Sequence, residues 1–479
     1  MHKLGLTDAS FLYFETASTP MNIASVQLLE VKTDGFFEEL LAYLEARVHV
    51  VPFMTRRLEP TPFALDAPVW VCDREFDIRR HVLRLTLPPP GTQRQLESMV
   101  ARLHETPFER THPMWRFHYI EGLRSGHVAW YCKYHHACID GMAGQAIIDL
   151  LFSPDPAADP PATPKPAPEP DPGIAELLLD ATRGWITQSL SIGSRLDAQA
   201  RAVGKLAERW LRGEAGLGAL MGSAPRTRFN VAVSRYRTWA AASLPLPEMK
   251  AVAKSRRVTL NDVLMTVCGG GMTRYLARKN ELPDKPLRAG VPVSLRAPGD
   301  ATMRNQVTML VASLASDVAD PLQRLAAVKA SMDIGKGVVR DSQCFDFGEL
   351  HVPGLAAVGF GTARLLERLR IANYVNPVVN VVISNVRGPS APVFLHGARM
   401  CSHYPVSIPA HGVAMNFTVQ SYADRLDLGV TACLEAVPDV ADLRDDVLAA
   451  WVELRDAWRE TLRAPTVSKS TLRTSSQAA

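Results

Sequence analysis

The sequence predicts an α/β (α+β) protein built as two halves of comparable size. Three observations carry this. Segments with helical spacing of apolar residues alternate along the chain with short segments that read as strands. A break with nine prolines between Pro154 and Pro172 forbids helix and sheet and favours extended chain. And 479 residues, 47% of them apolar and 21% charged, suffice for large buried cores.

The elements follow in order. In the first half Val26 to Val31 reads as a strand and Phe37 to Arg47 as a helix. Glu97 to His104 reads as a second helix, and Trp115 to Glu121 as a strand of alternating polarity. Val128 to Tyr134 is a mostly buried strand bounded by Gly126, and Gly141 starts a helix through Leu151. After the proline break, Ile174 to Arg212 carries an imperfect helical stripe that includes Leu177, Leu178, Trp185 and Ile192. The second half starts near Phe229. It holds a helix over Leu260 to Arg278, a strand over Gln306 to Leu314 and a helix over Pro321 to Asp333. Strands follow at Val378 to Ser384, Ala414 to Ser421 and Leu426 to Cys433, then a closing helix over Val440 to Leu462. The expected division is a first half over 1–153, a linker and helical crossover over 154–228, and a second half over 229–464. A Ser/Thr-rich tail over 465–479 is expected to be disordered.

Composition excludes several classes. The net charge of +4 is too small for a nucleic-acid protein, though it suits attraction to an acidic membrane surface or an anionic substrate. No apolar run approaches the roughly 20 residues that cross a bilayer. Asp8 and Glu15 interrupt the N-terminal apolar segment, which argues against a signal peptide. Seven scattered cysteines without a C-x-x-C pair suggest reduced thiols in the cytoplasm. Neither a G-x-S-x-G elbow nor a phosphate-binding G-x-x-x-x-G-K-[ST] loop occurs.

The sharpest local feature is His135-His136-Ala137-Cys138-Ile139-Asp140-Gly141, where a buried strand gives way to a helix. Adjacent side chains at a strand end point to opposite faces, so only one histidine can face a given cavity. A neutral imidazole there is a good general base for a hydroxyl or thiol. A lone histidine at a strand end is usually structural, so on this ground alone packing is the favoured reading. A His/Asp metal site would need a third ligand, and none lies at the expected spacing.

H-H-x-x-x-D-G resembles the signature of the acyl-CoA-dependent acyltransferase superfamily. Further segments resemble one branch of it, the bacterial wax ester synthase/diacylglycerol acyltransferases. They are Leu6-Thr7-Asp8-Ala9-Ser10-Phe11-Leu12-Tyr13-Phe14-Glu15, Pro20-Met21-Asn22, Pro113-Met114-Trp115, Asn261-Asp262-Val263, Pro292-Val293-Ser294-Leu295-Arg296 and Asn305-Gln306. Ile383-Ser384-Asn385-Val386-Arg387-Gly388-Pro389, Tyr404-Pro405, His411-Gly412 and Ala414-Met415-Asn416 continue the series in family order. Arg387 stands where the family usually has Pro, and Met114 where it has Leu. The proline-rich stretch is unusually long.

The resemblance implies two chloramphenicol-acetyltransferase-like halves with a tunnel between them and no cofactor beyond acyl-CoA as co-substrate. It implies His136 as general base and His135 as a packing residue. Asp140 would be a structural residue that pairs with Arg296 and aims the His136 loop. Ser384 and Asn385 would donate to the oxyanion, or simply form a turn. Asn261 and Asp262 belong to a family motif, and Asn261 could be only the N-cap of the helix that follows. The implied reaction carries a long-chain acyl group to a fatty alcohol or diacylglycerol at the inner face of a membrane. A condensation-type or small-alcohol acyltransferase, or a non-catalytic lipid-binding relative, are the alternatives. Leu355 to Ile371, with Arg364, Arg368 and Arg370 among leucines, reads as a lipid-facing helix or as one packed on the protein with its arginines solvated.

Overall fold

The strand Val128–His135 organises the first lobe. All eight of its residues are buried, because V-A-W-Y-C-K-Y-H offers apolar side chains to both faces of a sheet. The computed structural model describes residues 2–62, 65–139, 147–158, 162, 164, 170–183, 224–294, 307–341 and 355–463. The strands are β1 (His2–Lys3), β2 (Asn22–Glu30), β3 (Arg56–Glu59), β4 (Val69–Cys72), β5 (Val82–Thr86), β6 (Trp115–Glu121), β7 (Val128–His135) and β8 (Phe152–Ser153). They continue as β9 (Arg237–Pro245), β10 (Arg288–Ser294), β11 (Val307–Ser313), β12 (Val381–Val386), β13 (Phe394–Leu395), β14 (Ala398–Val406), β15 (Met415–Tyr422) and β16 (Arg425–Cys433).

Two mixed sheets dominate. The first-lobe sheet has the order β5-β6-β7-β2-β14-β13-β8, and the second-lobe sheet β11-β10-β12-β15-β16-β9. Helices pack on both, which gives a two-lobed α/β fold. On one face of β7, Trp130, Cys132 and Tyr134 join Trp115, Phe117 and Phe53 in the first-lobe core. On the other face, Ala129 and Tyr131 join Trp239 and Ala241 of β9 in a core shared by both lobes.

The lobes are interlocked. β13 and β14 come from the second half of the chain yet lie in the first sheet, with β14 paired to β2 from Arg399↔Glu30 to Val406↔Ala24. The sheets also touch across β14 and β16. A Cβ on Gly429 would sit 1.8 Å from the Pro405 carbonyl oxygen, so only glycine permits this approach. Gly429→Ala is therefore expected to destabilise the protein at or above the top of the ~1–3 kcal/mol range for overpacking, read by urea unfolding. Wild-type stability in this variant would show that the lobes can slide apart freely.

The helix Gln93–Glu105 bridges the lobes. Thr92 caps it, accepting the Gln95 N–H at 3.3 Å while Gln95 Oε1 accepts the Thr92 N–H at 2.7 Å. That reciprocal cap carries the helix four residues upstream of the expected start at Glu97. Buried Glu97 accepts the Ala241 N–H at 3.1 Å and an Arg444 N–H at 3.1 Å, both from the second half.

Other bounds shift for local reasons. The strand expected over Val378–Ser384 runs instead over Val381–Val386. Val378 is exposed, and the buried Asn380 side chain takes over backbone partners, accepting the Arg288 N–H and donating to the Pro225 carbonyl. The helix starting at Pro321 continues to Asp341. The helix Leu355–Arg368 stops short of Ile371 because Arg370 turns left-handed, at φ 49°. Of the expected helices near the proline break, residues 147–151 and 174–183 are helical, and the remainder lies outside the described residues.

Candidate active site

The His135-His136 pair sits where β7 leaves its sheet and enters a 3-10 turn, His136–Cys138. Two backbone hydrogen bonds hold this corner. The His135 N–H donates to the Met114 carbonyl at 2.9 Å, and the His136 N–H to the Met21 carbonyl at 2.8 Å. The segments around Pro113-Met114-Trp115 and Pro20-Met21-Asn22 therefore clamp the two histidine backbones. Trp115 lies buried below, its ring N–H donating to the Met54 carbonyl at 2.8 Å and its face stacked on His81. Asn22, opposite His135 in the β2–β7 ladder, donates to the carbonyls of His104 and Thr106.

The two imidazoles have different surroundings. His135 is fully buried. Its Nδ1 accepts the Ala137 N–H at 3.1 Å, so its proton sits on Nε2. That nitrogen lies 3.2 Å from Glu15 Oε1, off the axis of a straight hydrogen bond. His136 is partly exposed. Its ring stacks on Phe11, with centroids 3.8 Å apart and planes within 11°. Phe11 belongs to the helix Leu6–Phe14, so the N-terminal segment forms one wall of the site.

Glu15 ties these parts together. Oε1 also accepts the Met21 N–H at 3.1 Å, and Oε2 accepts an Arg110 N–H at 2.8 Å. Burial alone would raise its carboxyl pKa. The contacts with His135 and Arg110 outweigh burial and bring it from 4.5 down to about 2. One carboxylate thus fixes the buried histidine, the Met21 backbone that clamps His136, and an arginine from the loop after Glu105.

Lys133 shares the face of β7 that carries His135. Its ammonium donates to the Leu103 and Thr106 carbonyls at 2.8 and 2.9 Å, and burial followed by the nearby Arg116 lowers its pKa to about 7. Burial, then the charges of Asp8 and Glu15, push the thiol of Cys138, two residues after His136, well above the ordinary range, which disfavours the thiolate.

The other sequence-predicted residues lie on other elements or outside the described residues. Asp140 and Arg296, and hence their pairing, lie outside the described residues. Ser384 is half-buried on β12, directly opposite Thr418 of β15, whose hydroxyl donates to Asn416 at 2.7 Å. Asn385 is exposed. Neither makes a hydrogen bond to His135 in this structure.

Asn261 is not the helix cap. Thr259 is, accepting the Asp262 N–H at 3.2 Å, while Asp262 Oδ2 accepts the Thr259 N–H at 2.8 Å. Threonine at this position presents its hydroxyl to the third helical N–H, and Asp262 is placed to return the bond, so Asn261 falls inside the first turn. That leaves Asn261 Oδ1 and Asp262 Oδ1 buried without a hydrogen-bond partner among the described residues.

Sequence reasoning assigned no role to Glu15, Arg110 or Phe11. Glu15 stood out only, together with Asp8, as an acid within the apolar N-terminal segment. Its partner 120 positions away has no signature in local spacing.

Known proteins resemble the chain over nearly its whole length. The family model for the wax ester synthase/diacylglycerol acyltransferase catalytic domain matches residues 4–264, and its C-terminal domain matches residues 303–455. A Mycobacterium tuberculosis protein named a putative diacylglycerol O-acyltransferase is 34% identical, covering 94% of this chain and 98% of its own. The O-acyltransferase WSD of Acinetobacter baylyi is 32% identical over 92% of this chain and 94% of its own. The solved wax ester synthase/diacylglycerol acyltransferase of Marinobacter aquaeolei VT8 superposes with a TM-score of 0.68, at 28% identity, covering 96% of this chain and all of that one. The chain belongs to the wax ester synthase/diacylglycerol acyltransferase family of acyl-CoA-dependent O-acyltransferases.

Proposed function

We propose that the chain transfers a long-chain acyl group from acyl-CoA to the hydroxyl of a fatty alcohol or diacylglycerol, with His136 as the general base. The observation that carries this is the pair of contrasting imidazoles: one buried and fixed by Glu15, the other partly exposed and held flat against Phe11. A base must be held at its backbone and reachable at its ring, and of these two histidines His136 is the one that is partly exposed.

The reaction then runs as a direct displacement. His136 takes the hydroxyl proton as the acceptor oxygen bonds to the thioester carbonyl carbon. The tetrahedral intermediate collapses, the carbon–sulfur bond breaks, and the proton on His136 passes to the departing CoA thiolate. The protonated Cys138 fits transfer without an acyl-enzyme. Ser384 and Asn385 are the proposed oxyanion donors, a contribution commonly worth about 2.7–4 kcal/mol. Asn261 and Asp262 are proposed to face substrate with the side-chain oxygens that lack a hydrogen-bond partner among the described residues. Asp140 paired with Arg296 is proposed to hold the His136 loop from its far side, and the site is proposed to lie in a tunnel between the lobes. Incubation with palmitoyl-CoA and a panel of hexadecanol, monoacylglycerol, diacylglycerol and sterol, with products identified by mass, tests the reading. Ester and CoA should appear together with at least one lipid acceptor, and CoA release with none of them overturns it.

No described helix is long and apolar enough to cross a membrane. We propose contact with the cytoplasmic face of a membrane through the helix Leu355–Arg368. It packs on the helix Leu6–Phe14, yet Leu365, Leu366 and Leu369 remain exposed beside exposed Arg364, Arg368 and Arg370. Arginines beside exposed leucines suit an anionic lipid surface. Changing the three arginines to Gln should reduce pelleting with anionic liposomes at low salt and leave turnover of detergent-dispersed hexadecanol near wild type. Pelleting equal to wild type would remove this helix as the anchor.

A further inference from the structure

Large apolar side chains exposed around the helix Leu355–Arg368 form more than a membrane foot. Leu365, Leu366 and Leu369 are 55%, 46% and 52% exposed, and Tyr374 and Val375 just beyond are 79% and 57% exposed. Across the packing seam, the helix Leu6–Phe14 ends in Phe14, itself 57% exposed. The two helices are joined close to these residues. Glu367, next to Leu366, accepts hydrogen bonds from both the Ser18 hydroxyl and the Ser18 N–H, four residues beyond Phe14. His411 completes the clasp. Its Nδ1 accepts the Val233 N–H at 3.1 Å, so its Nε2 proton points at the Ser18 hydroxyl, 3.3 Å away.

The same short helix reaches the reacting centre. Phe11 and Phe14 are three residues apart, which places them on one helical face about 4.5 Å apart along the axis. Phe11 is the ring stacked on His136. Phe11 on the base and the exposed Phe14 thus stand one helical turn apart on one face, and the helix packed against them carries exposed Arg364 and Arg368, with Arg370 just beyond its end. An apolar surface this close to a catalytic group suits a ligand that is apolar along its length and brings one hydroxyl to the histidine. The phosphates of CoA match neither Phe14 nor the leucines.

We propose that the seam between the helices Leu6–Phe14 and Leu355–Arg368 is the door through which a long-chain hydroxyl acceptor passes from an anionic lipid surface to His136. This rests on the reading of the chain as a lipid acyltransferase and adds the side from which the acceptor arrives. The chain enters along Phe14 and Leu366, and its hydroxyl arrives beside Phe11. The Ser18–Glu367–His411 clasp holds the two sides of the door in register.

The test compares wild type with Phe14→Asp and Leu366→Asp, made separately, on detergent-dispersed hexadecanol and on water-soluble butanol. Both side chains are exposed, so each variant should melt like wild type. The door predicts that kcat/KM for hexadecanol falls relative to that for butanol by about ten- to a hundredfold, the scale of one lost apolar contact. The KM for palmitoyl-CoA should move less than about twofold, since a twofold change is well under the tenfold that 1.4 kcal/mol produces. An unchanged hexadecanol-to-butanol ratio, even with weaker pelleting on vesicles, would reduce the patch to a membrane contact and overturn the proposal. A raised KM for palmitoyl-CoA with hexadecanol unaffected would assign the patch to the donor and overturn it too. Wild type that turns over neither alcohol would instead refute the acyltransferase reading, before any variant is compared.

Discussion

His136→Ala is expected to fold like wild type and to lose about 10²–10⁴ in kcat, the usual range for removing a general base. The expectation of a normal fold comes from position. His136 is partly exposed, its backbone N–H rather than its ring is held by Met21, and alanine keeps that bond. The loss should fall on kcat, because an imidazole that moves a proton acts in the transition state. His135→Ala differs in kind. It removes the side-chain acceptor of the Ala137 N–H and leaves the buried Glu15 short of a partner, so it should lower stability as well as rate. A well-folded His136→Ala protein with near-normal turnover would contradict the assignment of the base.

Glu15→Ala should be the most damaging substitution outside the two histidines. It leaves the Met21 N–H without its acceptor and the fully buried His135 Nε2 without the carboxylate beside it. Removing one partner of a buried pair costs about 3–5 kcal/mol, a large share of the stability of an ordinary domain. Glu15→Gln keeps an oxygen in place and should be milder. Arg110, partly exposed, can then turn to water. The two variants also separate by pH. The Glu15 carboxyl titrates at about 2 in the folded protein against an ordinary 4.5. Its stabilisation is therefore fully present above pH 4.5 and is lost as pH falls from there toward 2. Wild type should lose stability over that window, and Glu15→Gln should lose less, as measured by urea midpoints at pH 5 and pH 3. Equal pH dependence in both proteins would show that Glu15 is not the coupled group.

The sequence was most informative where chemistry is local. The strand Trp115–Glu121 and the helix Leu260–Arg278 run over the expected residues, because their apolar spacing and flanking breakers act within one element. The corner at His135-His136 was visible for the same reason: a mostly apolar strand running into two histidines needs no distant partner to be noticed. The contacts that make the corner a site were not visible. Phe11 reaches His136 and Glu15 reaches His135 across more than a hundred residues, and periodicity holds no information at that range. The insertion of β14 beside β2 is another long-range choice, made by sheet pairing across the proline-rich break. Asn261 shows a subtler limit. Asn and Thr are both good caps, and only the returned bond from Asp262 decides for Thr259.

The central claim is direct transfer from thioester to hydroxyl, with His136 moving the proton and no covalent acyl-enzyme. Rapid-quench mixing of enzyme with palmitoyl-CoA, with and without hexadecanol, tests it most directly. The account predicts no burst of CoA without the alcohol, and CoA and ester in equal amounts from the first turnover with it. A burst of CoA equal to the enzyme concentration without alcohol, with palmitate bound covalently to the chain, would contradict it.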